Sequence, residues 1–153
     1  LAIIIAAIEN HKDAAVDELC TKYLQRLNGP WKTSLLRLPA ARVKDPEKQK
    51  IQESEQLLKL IKPDDLVILC DERGKTLTSE HFAAQIQQKL NTLRGNLILG
   101  IGGAYGFTPE ILARYPSIKL SEFTFPHHLA RLVLCEQLYR AMCINKGTGY
   151  HHA

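Results

Sequence analysis

Residues 66–75 read LVILCDERGK, five apolar residues followed by five that are almost all charged or flexible. A strand with one wet face alternates apolar and polar residues. Leu66, Val67, Ile68, Leu69 and Cys70 do not alternate, so this strand is expected to be covered on both faces, in the middle of a parallel sheet. The turn residues Lys62, Pro63, Asp64 and Asp65 precede it. A strand is therefore expected over Leu66–Asp71, with DERGK beyond its carboxyl end. Parallel neighbours need long crossovers, so helices should flank the strand in the chain.

The chain on either side meets that requirement. LAIIIAAI (residues 1–8) is a second apolar run, too short to span a membrane and best read as a buried strand. Residues 12–28 then form a helix, with Ala15, Leu19, Tyr23 and Leu27 at helical spacing and Gly29-Pro30 as its stop. WKTSLLRLP (31–39) is a strand. In the next helix Asp45 is the expected N-cap and Pro46 the first helical residue. Thr78, Ser79 and Glu80 open a third helix. NLILGIGG (96–103) is a strand running into glycines, Thr108-Pro109-Glu110 starts a short helix, and SIKLSEFTF (117–125) is a fifth extended piece. The last helix covers residues 127–145. Five strands alternating with five helices predict an α/β fold, a doubly wound, mostly parallel sheet with flanking helices, in a single domain over residues 1–153. The most polar stretch, residues 39–52, is expected to be a mobile loop leading into the second helix.

Bulk properties narrow the class. A length of 153 residues suits one core. No run reaches the roughly 18 apolar residues of a membrane span, and the opening residues lack a signal-peptide pattern. The chain opens at Leu1 and not at Met, so a natural start upstream stays open. Cys20, Cys70, Cys135 and Cys143 sit singly in apolar stretches. That spacing points to buried free thiols in a reducing cytoplasm, not to a disulfide frame or a zinc site. The net charge of +4 is compatible with a nucleic-acid partner and does not establish one.

Ligands of open α/β sheets bind beyond the carboxyl ends of the strands. Two such ends carry chemistry here: residues 69–75, with Asp71 and Glu72, and LGIGGAYG (99–106), whose glycines let a ligand approach backbone. The latter is not a dinucleotide fingerprint. Tyr105 stands where the third glycine belongs, and the motif follows the wrong strand. The Gly-Lys-Ser/Thr of a phosphate loop is also missing. His127, His128, His151 and His152 lack the carboxylate spacing of a metal site, and none is expected.

LILGIGGAYGFTPEI (97–111) and IKLSEFTFPHHLARLVLCEQLYRAMCINKGTGYHH (118–152), together with LCDERGK, occur in one order along the whole chain. In this they resemble the ribosomal RNA large-subunit methyltransferase H family, of the SPOUT class of α/β-knot methyltransferases. The resemblance implies an S-adenosylmethionine-dependent enzyme that methylates N3 of a pseudouridine in large-subunit rRNA. It also implies a homodimer and a C-terminal trefoil knot holding the bent cofactor. The family's cofactor contacts fall on Leu69, Gly103, and Leu120, Ser121, Glu122, Phe123, Thr124 and Phe125. Its terminal Tyr-His pair falls on Tyr150 and His151, and its Glu-Gln-Leu-Tyr-Arg-Ala segment on Glu136 to Ala141. His152 stands where the family carries Lys or Arg, and His128 where many members have Gln or Pro.

On that reading Leu69, Leu120 and Phe123 supply apolar walls, and residues 120–125 offer backbone groups to the adenine edge. By their type alone, Leu120 and Phe123 read as plain core. The acceptor N3 must lose a proton. His151 is the candidate base by residue type, Tyr150 a stacking or orienting partner, and Arg140 a phosphate or base-positioning group. Arg131 is read as a structural pair with an acid such as Glu136. Leu129, Leu132, Val133 and Leu138 are read as core or dimer interface. Two other readings remain: a non-catalytic ribosome- or RNA-binding protein that keeps the fold, and a small nucleotide-binding oxidoreductase, which the glycine spacing opposes.

Overall fold

The computed structural model describes residues 2–153. The expected first strand opens at Leu1, which lies outside the described residues. The elements run β1 (Ile3–Ile8), α1 (Ala14–Leu27), β2 (Thr33–Leu38), α2 (Pro46–Leu60), β3 (Leu66–Thr76), α3 (Ser79–Thr92), β4 (Leu97–Ile101), α4 (Pro109–Arg114), β5 (Ser117–Lys119) and α5 (His127–Lys146). All pairings are parallel, in the order β2-β1-β4-β3-β5. The alternation of strand and helix thus holds through the chain.

The period of two along each strand sorts the core onto two faces. Ile3, Ile5 and Ala7 of β1, Ile68 of β3, and Leu97, Leu99 and Ile101 of β4 pack under α1, α3 and α5. Ala6, Val67, Leu69 and Ile98 face the other way, against Leu57 of α2, Phe107 and Ile111 of α4. The unbroken apolar runs of β1, β3 and β4 are the sequence trace of this double cover.

Three elements differ from expectation. β3 does not end at Asp71. It continues to Thr76 and pairs with β5 on both sides of an irregularity between Cys70 and Lys75. β5 keeps only Ser117–Lys119, and the residues after it leave the sheet as a loop. In α1 the buried residues are Val16, Cys20 and Leu27, whereas Ala15 is exposed and Leu19 is 43% exposed. Tyr23 and Leu27 do face the core, but over the first turns of α1 packing selects Val16 and Cys20 in place of Ala15 and Leu19.

Local signals set the helix starts. Asp13, Thr78 and Thr108 each accept a hydrogen bond from the backbone N–H three residues on. Asp45 occupies the N-cap of α2 with Pro46 after it, but its side chain makes no capping hydrogen bond. The loop before α2 is tied down. The Ala40 N–H donates to Asn10 Oδ1, the Ala41 N–H donates to Glu53 Oε2, and Gln56 Nε2 donates to the Pro39 carbonyl. α5 ends at Gly147, whose φ of 71° is the left-handed cap that glycine adopts without a Cβ penalty.

Candidate functional site

A cleft of about 490 Å³ opens where the carboxyl ends of β3 and β4 meet the loop after β5. Its walls are residues 70–73, 101–106 and 119–125, with His127 and Ala130 from the start of α5. Gly103, Leu120, Ser121, Glu122, Phe123, Thr124 and Phe125 therefore share one cavity, as the sequence motifs required. Leu69 does not line it. Its side chain is fully buried on the α2 side of the sheet, packed beneath Gly100, and Cys70 takes its place on the wall.

Hydrogen bonds hold the three walls together. Arg73 Nε donates to Asp71 Oδ1 at 2.9 Å, and Arg73 Nη2 donates to Asp71 Oδ2 and to the Phe107 carbonyl. Burial acts to raise the pKa of the Asp71 carboxyl, but the Arg73 side-chain and backbone hydrogen bonds outweigh it and hold the group below the usual carboxylate range. Burial, then the Asp71 charge, pushes the Cys70 thiol up to about 12, so it is a neutral wall and not a nucleophile. On the third wall, Lys119 Nζ donates to Glu122 Oε2 and Thr76 Oγ1 donates to Glu122 Oε1, pinning the loop to β3.

The mouth is aromatic. Phe123 is 82% exposed and Tyr105 is 49% exposed, and both line the cleft. Phe123 is thus not core; it stands on the rim, where a flat ring can stack. Leu120 is partly buried and packs against the core on one side.

The floor at Gly103 is the tightest point. A methyl group there would lie 2.2 Å from Glu53 Oε1, so no other residue fits without displacing the acid. Glu53 is 1% exposed. Its Oε2 accepts the Ala41 N–H at 2.8 Å, while Oε1 has no hydrogen-bond partner among the described residues.

Tyr150, His151 and Arg140 come together, but not in the cleft. Arg140 Nε and Nη2 donate to Glu136 Oε1 at 3.0 and 2.7 Å. The Tyr150 hydroxyl donates to the same oxygen, and the Arg140 guanidinium stacks 5.1 Å from the Tyr150 ring centroid. Arg140 Nη1 lies 3.0 Å from His151 Nδ1, and His151 Nε2 lies 2.8 Å from Glu80 Oε1 on α3. A guanidinium only donates. His151 Nδ1 therefore accepts, and the ring proton sits on Nε2 and points to Glu80, so both ring nitrogens are engaged. Burial, then the Glu136 charge, pushes the Tyr150 phenol up to about 12, and it stays protonated as a donor. At about 1.5 Å rise per residue, Arg140 is about 20 Å along α5 from His127 at the cleft.

Arg131 has a different role from the expected pair with Glu136. It is fully buried and reaches back to α1 and β1, with Nη1 2.7 Å from Asp17 Oδ1 and Nε 3.4 Å from Glu9 Oε1. Arg37 binds the same two acids. Burial acts to raise the pKa of the Asp17 carboxyl, and the hydrogen bonds from Arg37 and Arg131 outweigh it. Arg131 is structural, and Glu136 belongs to Arg140.

Sequence reading missed Glu53, Arg73, Tyr105 and Glu80. Glu53 left one trace: it lies four residues before Leu57, on the apolar side of a polar helix. Nothing local marks Glu80 as the His151 partner, because the two are distant in the chain.

Residues 1–151 match a family model described as "Predicted SPOUT methyltransferase". Proteins named "Ribosomal RNA large subunit methyltransferase H" are similar over much of the chain. The one from Phocaeicola vulgatus is 47% identical over 107 residues, 69% of this chain and 68% of that protein. Those from Cytophaga hutchinsonii and Nitratidesulfovibrio vulgaris are 38% and 37% identical over 92% and 97% of both chains. A solved structure, "probable rRNA-methyltransferase from Porphyromonas gingivalis", superposes with a TM-score of 0.51 at 15% identity, covering 94% of this chain and 69% of that one. The likeness is one of fold, and it supports the α/β-knot arrangement that the motifs imply.

Proposed function

Because this chain belongs to the SPOUT methyltransferase family, we propose that it is an S-adenosylmethionine-dependent methyltransferase of large-subunit ribosomal RNA. We propose further that its target is N3 of a pseudouridine on the assembled ribosome, that it works in the cytoplasm, and that residues 1–153 form one SPOUT domain. The observation that carries the reading is the single cleft formed by Gly103 and residues 120–125. Relatives named for large-subunit rRNA methylation along nearly the full chain support the substrate class.

The cleft suits the donor. Its volume lies within the usual range for small-molecule sites, roughly 300–1,000 Å³. Its floor is bare backbone at Gly102 and Gly103, and its walls carry both signs of charge, with Asp71 paired to Arg73, Glu122 paired to Lys119, and Glu72 beside them, which suits a polar ligand such as the zwitterionic end of the donor. Residues 120–125 would hold the adenine edge with backbone groups, and Leu120 and Phe123 would supply apolar walls for the ring. Bound there, the donor supplies an activated methyl on a sulfonium. The protein's part is alignment of the acceptor nitrogen, which is the larger share of catalysis for an in-line displacement.

On the acceptor side, His151 takes the N3 proton, Tyr150 stacks or orients the base, and Arg140 holds a phosphate or the base. His151 must first release Arg140, because its Nδ1 lone pair is engaged there in the free protein and its Nε2 already carries the ring proton that faces Glu80. RNA phosphate competing for Arg140 would free Nδ1 to accept the proton.

The tail folds back onto Glu136 and Arg140 of α5, roughly 14–20 Å along the helix from His127 at the cleft, so one chain's tail does not reach its own donor site. We therefore propose a homodimer in which the tail of one subunit completes the cleft of the other. Exposed apolar residues at Leu129 of α5 and Leu19 of α1 offer a surface for it. Mass spectrometry of rRNA from cells lacking the protein tests the activity. Loss of one methyl from a large-subunit pseudouridine is expected, and an unchanged RNA would refute the reading.

A further inference from the structure

A buried carboxylate oxygen without a partner is costly, and native structures keep few of them without a reason. Glu53 Oε1 is such an oxygen. It lies on the protein side of Gly103, directly behind the cleft floor, while Oε2 is held by the Ala41 N–H. The nearest cation on its own helix face, Lys50, has its Nζ 3.3 Å from Glu47. Arg73 is taken by Asp71 and the Phe107 carbonyl.

The geometry points to Glu53 as a buried counter-charge for the cationic donor, acting through the Gly103 floor; this rests on the donor reading above. Glu53 touches no ligand, so it is a positioning and selectivity residue and not a catalytic one. A carboxylate in a dry setting favours a cation several ångströms away much more than it does in water. Glycine at position 103 is what lets the two approach. The arrangement also gives the enzyme a way to prefer the sulfonium substrate over the neutral thioether product. The product loses the positive charge when the methyl leaves, and Glu53 then loses its partner, which favours release. In the free protein the unpaired oxygen is strain kept for binding, as functional sites often keep it.

The test is calorimetry of the full chain with S-adenosylmethionine and S-adenosylhomocysteine, for wild type and Glu53→Gln. Gln keeps the acceptor for Ala41 and removes the charge. Glu53→Gln should weaken S-adenosylmethionine by about tenfold and leave S-adenosylhomocysteine within about twofold, with a melting temperature in the absence of ligand equal to or above wild type. Equal weakening of both ligands would make Glu53 a simple strut and overturn the inference, as would no change in either. Should Glu53→Gln not fold, the wild type alone decides: it must bind the sulfonium several-fold tighter than the thioether, and equal affinities overturn the proposal. A wild type that binds neither ligand removes the donor reading itself, a different result from an unchanged ratio.

Discussion

The two halves of α5 are built from opposite materials. At its start the cleft is made of bare backbone, with Gly102 and Gly103 as the floor and the 120–125 loop as the wall. Along its second half the Tyr150–Arg140–His151 cluster is made of polar side chains, closed on itself by Glu136 and Glu80. A backbone cradle is preorganised and has little to rearrange when a ligand enters. A ring of ion pairs must open before any member can act. On the proposed reading, donor binding is a property of the folded subunit, and the acceptor chemistry waits for RNA or a partner chain.

Gly103→Ala strikes the first half hardest. The added methyl collides with the Glu53 carboxylate, which is buried and must give way together with the floor, and we expect donor affinity to fall by about a hundredfold, read by calorimetry. Near-normal affinity would break the idea of a backbone-made cleft. Deleting residues 150–153 strikes the other half. Methylation of ribosomes should fall by about a hundredfold, the usual scale of a lost acid–base group, while donor affinity stays within twofold. Full methylation after the deletion would remove the tail from the active site.

Mixing the two defects sharpens the comparison. Co-expression of Gly103→Ala with the tail-deleted chain should recover roughly a quarter to a half of wild-type activity if each site uses one subunit's cleft and the other's tail. No recovery would confine each site to one chain. Arg140→Lys is expected to cost about tenfold in methylation, because the ammonium cannot bridge Glu136, Tyr150 and His151 as the fork does. An unchanged rate would show the fork to be dispensable.

The smallest effect concerns acid. The Asp71 carboxyl titrates below its ordinary value in the folded protein, so its stabilising share is complete above the unfolded value of about 3.9 and is lost as pH falls through the folded value. Wild type should therefore lose melting temperature below about pH 4 more steeply than Asp71→Asn. Parallel curves would show that Arg73 adds nothing to the cleft wall.

Much of this was legible before folding. The unbroken apolar runs at residues 3–8, 66–70 and 97–101 announced strands covered on both faces, and Thr78 and Thr108 marked helix starts with capping side chains. Residues 103 and 120–125 were grouped by the resemblance to a known family and not by their own spacing, and the fold brings them to one cleft. Phe123 was less legible, since an apolar residue type does not say whether it faces a core or a rim. Leu69 illustrates the opposite error, a residue in the right stretch whose side chain alternates to the far side of the sheet.

The amino-acid sequence by itself determined the order of elements, the double cover of the sheet and the glycine floor, because periodicity and the lack of a side chain act over a few residues. Tertiary structure alone decided which charges meet. Arg131 chose Asp17 over Glu136, His151 met Glu80, and Glu53 came to rest behind Gly103. Each of those pairs joins elements far apart in the chain, where the partner of a charge is selected by packing and desolvation and not by its neighbours in sequence.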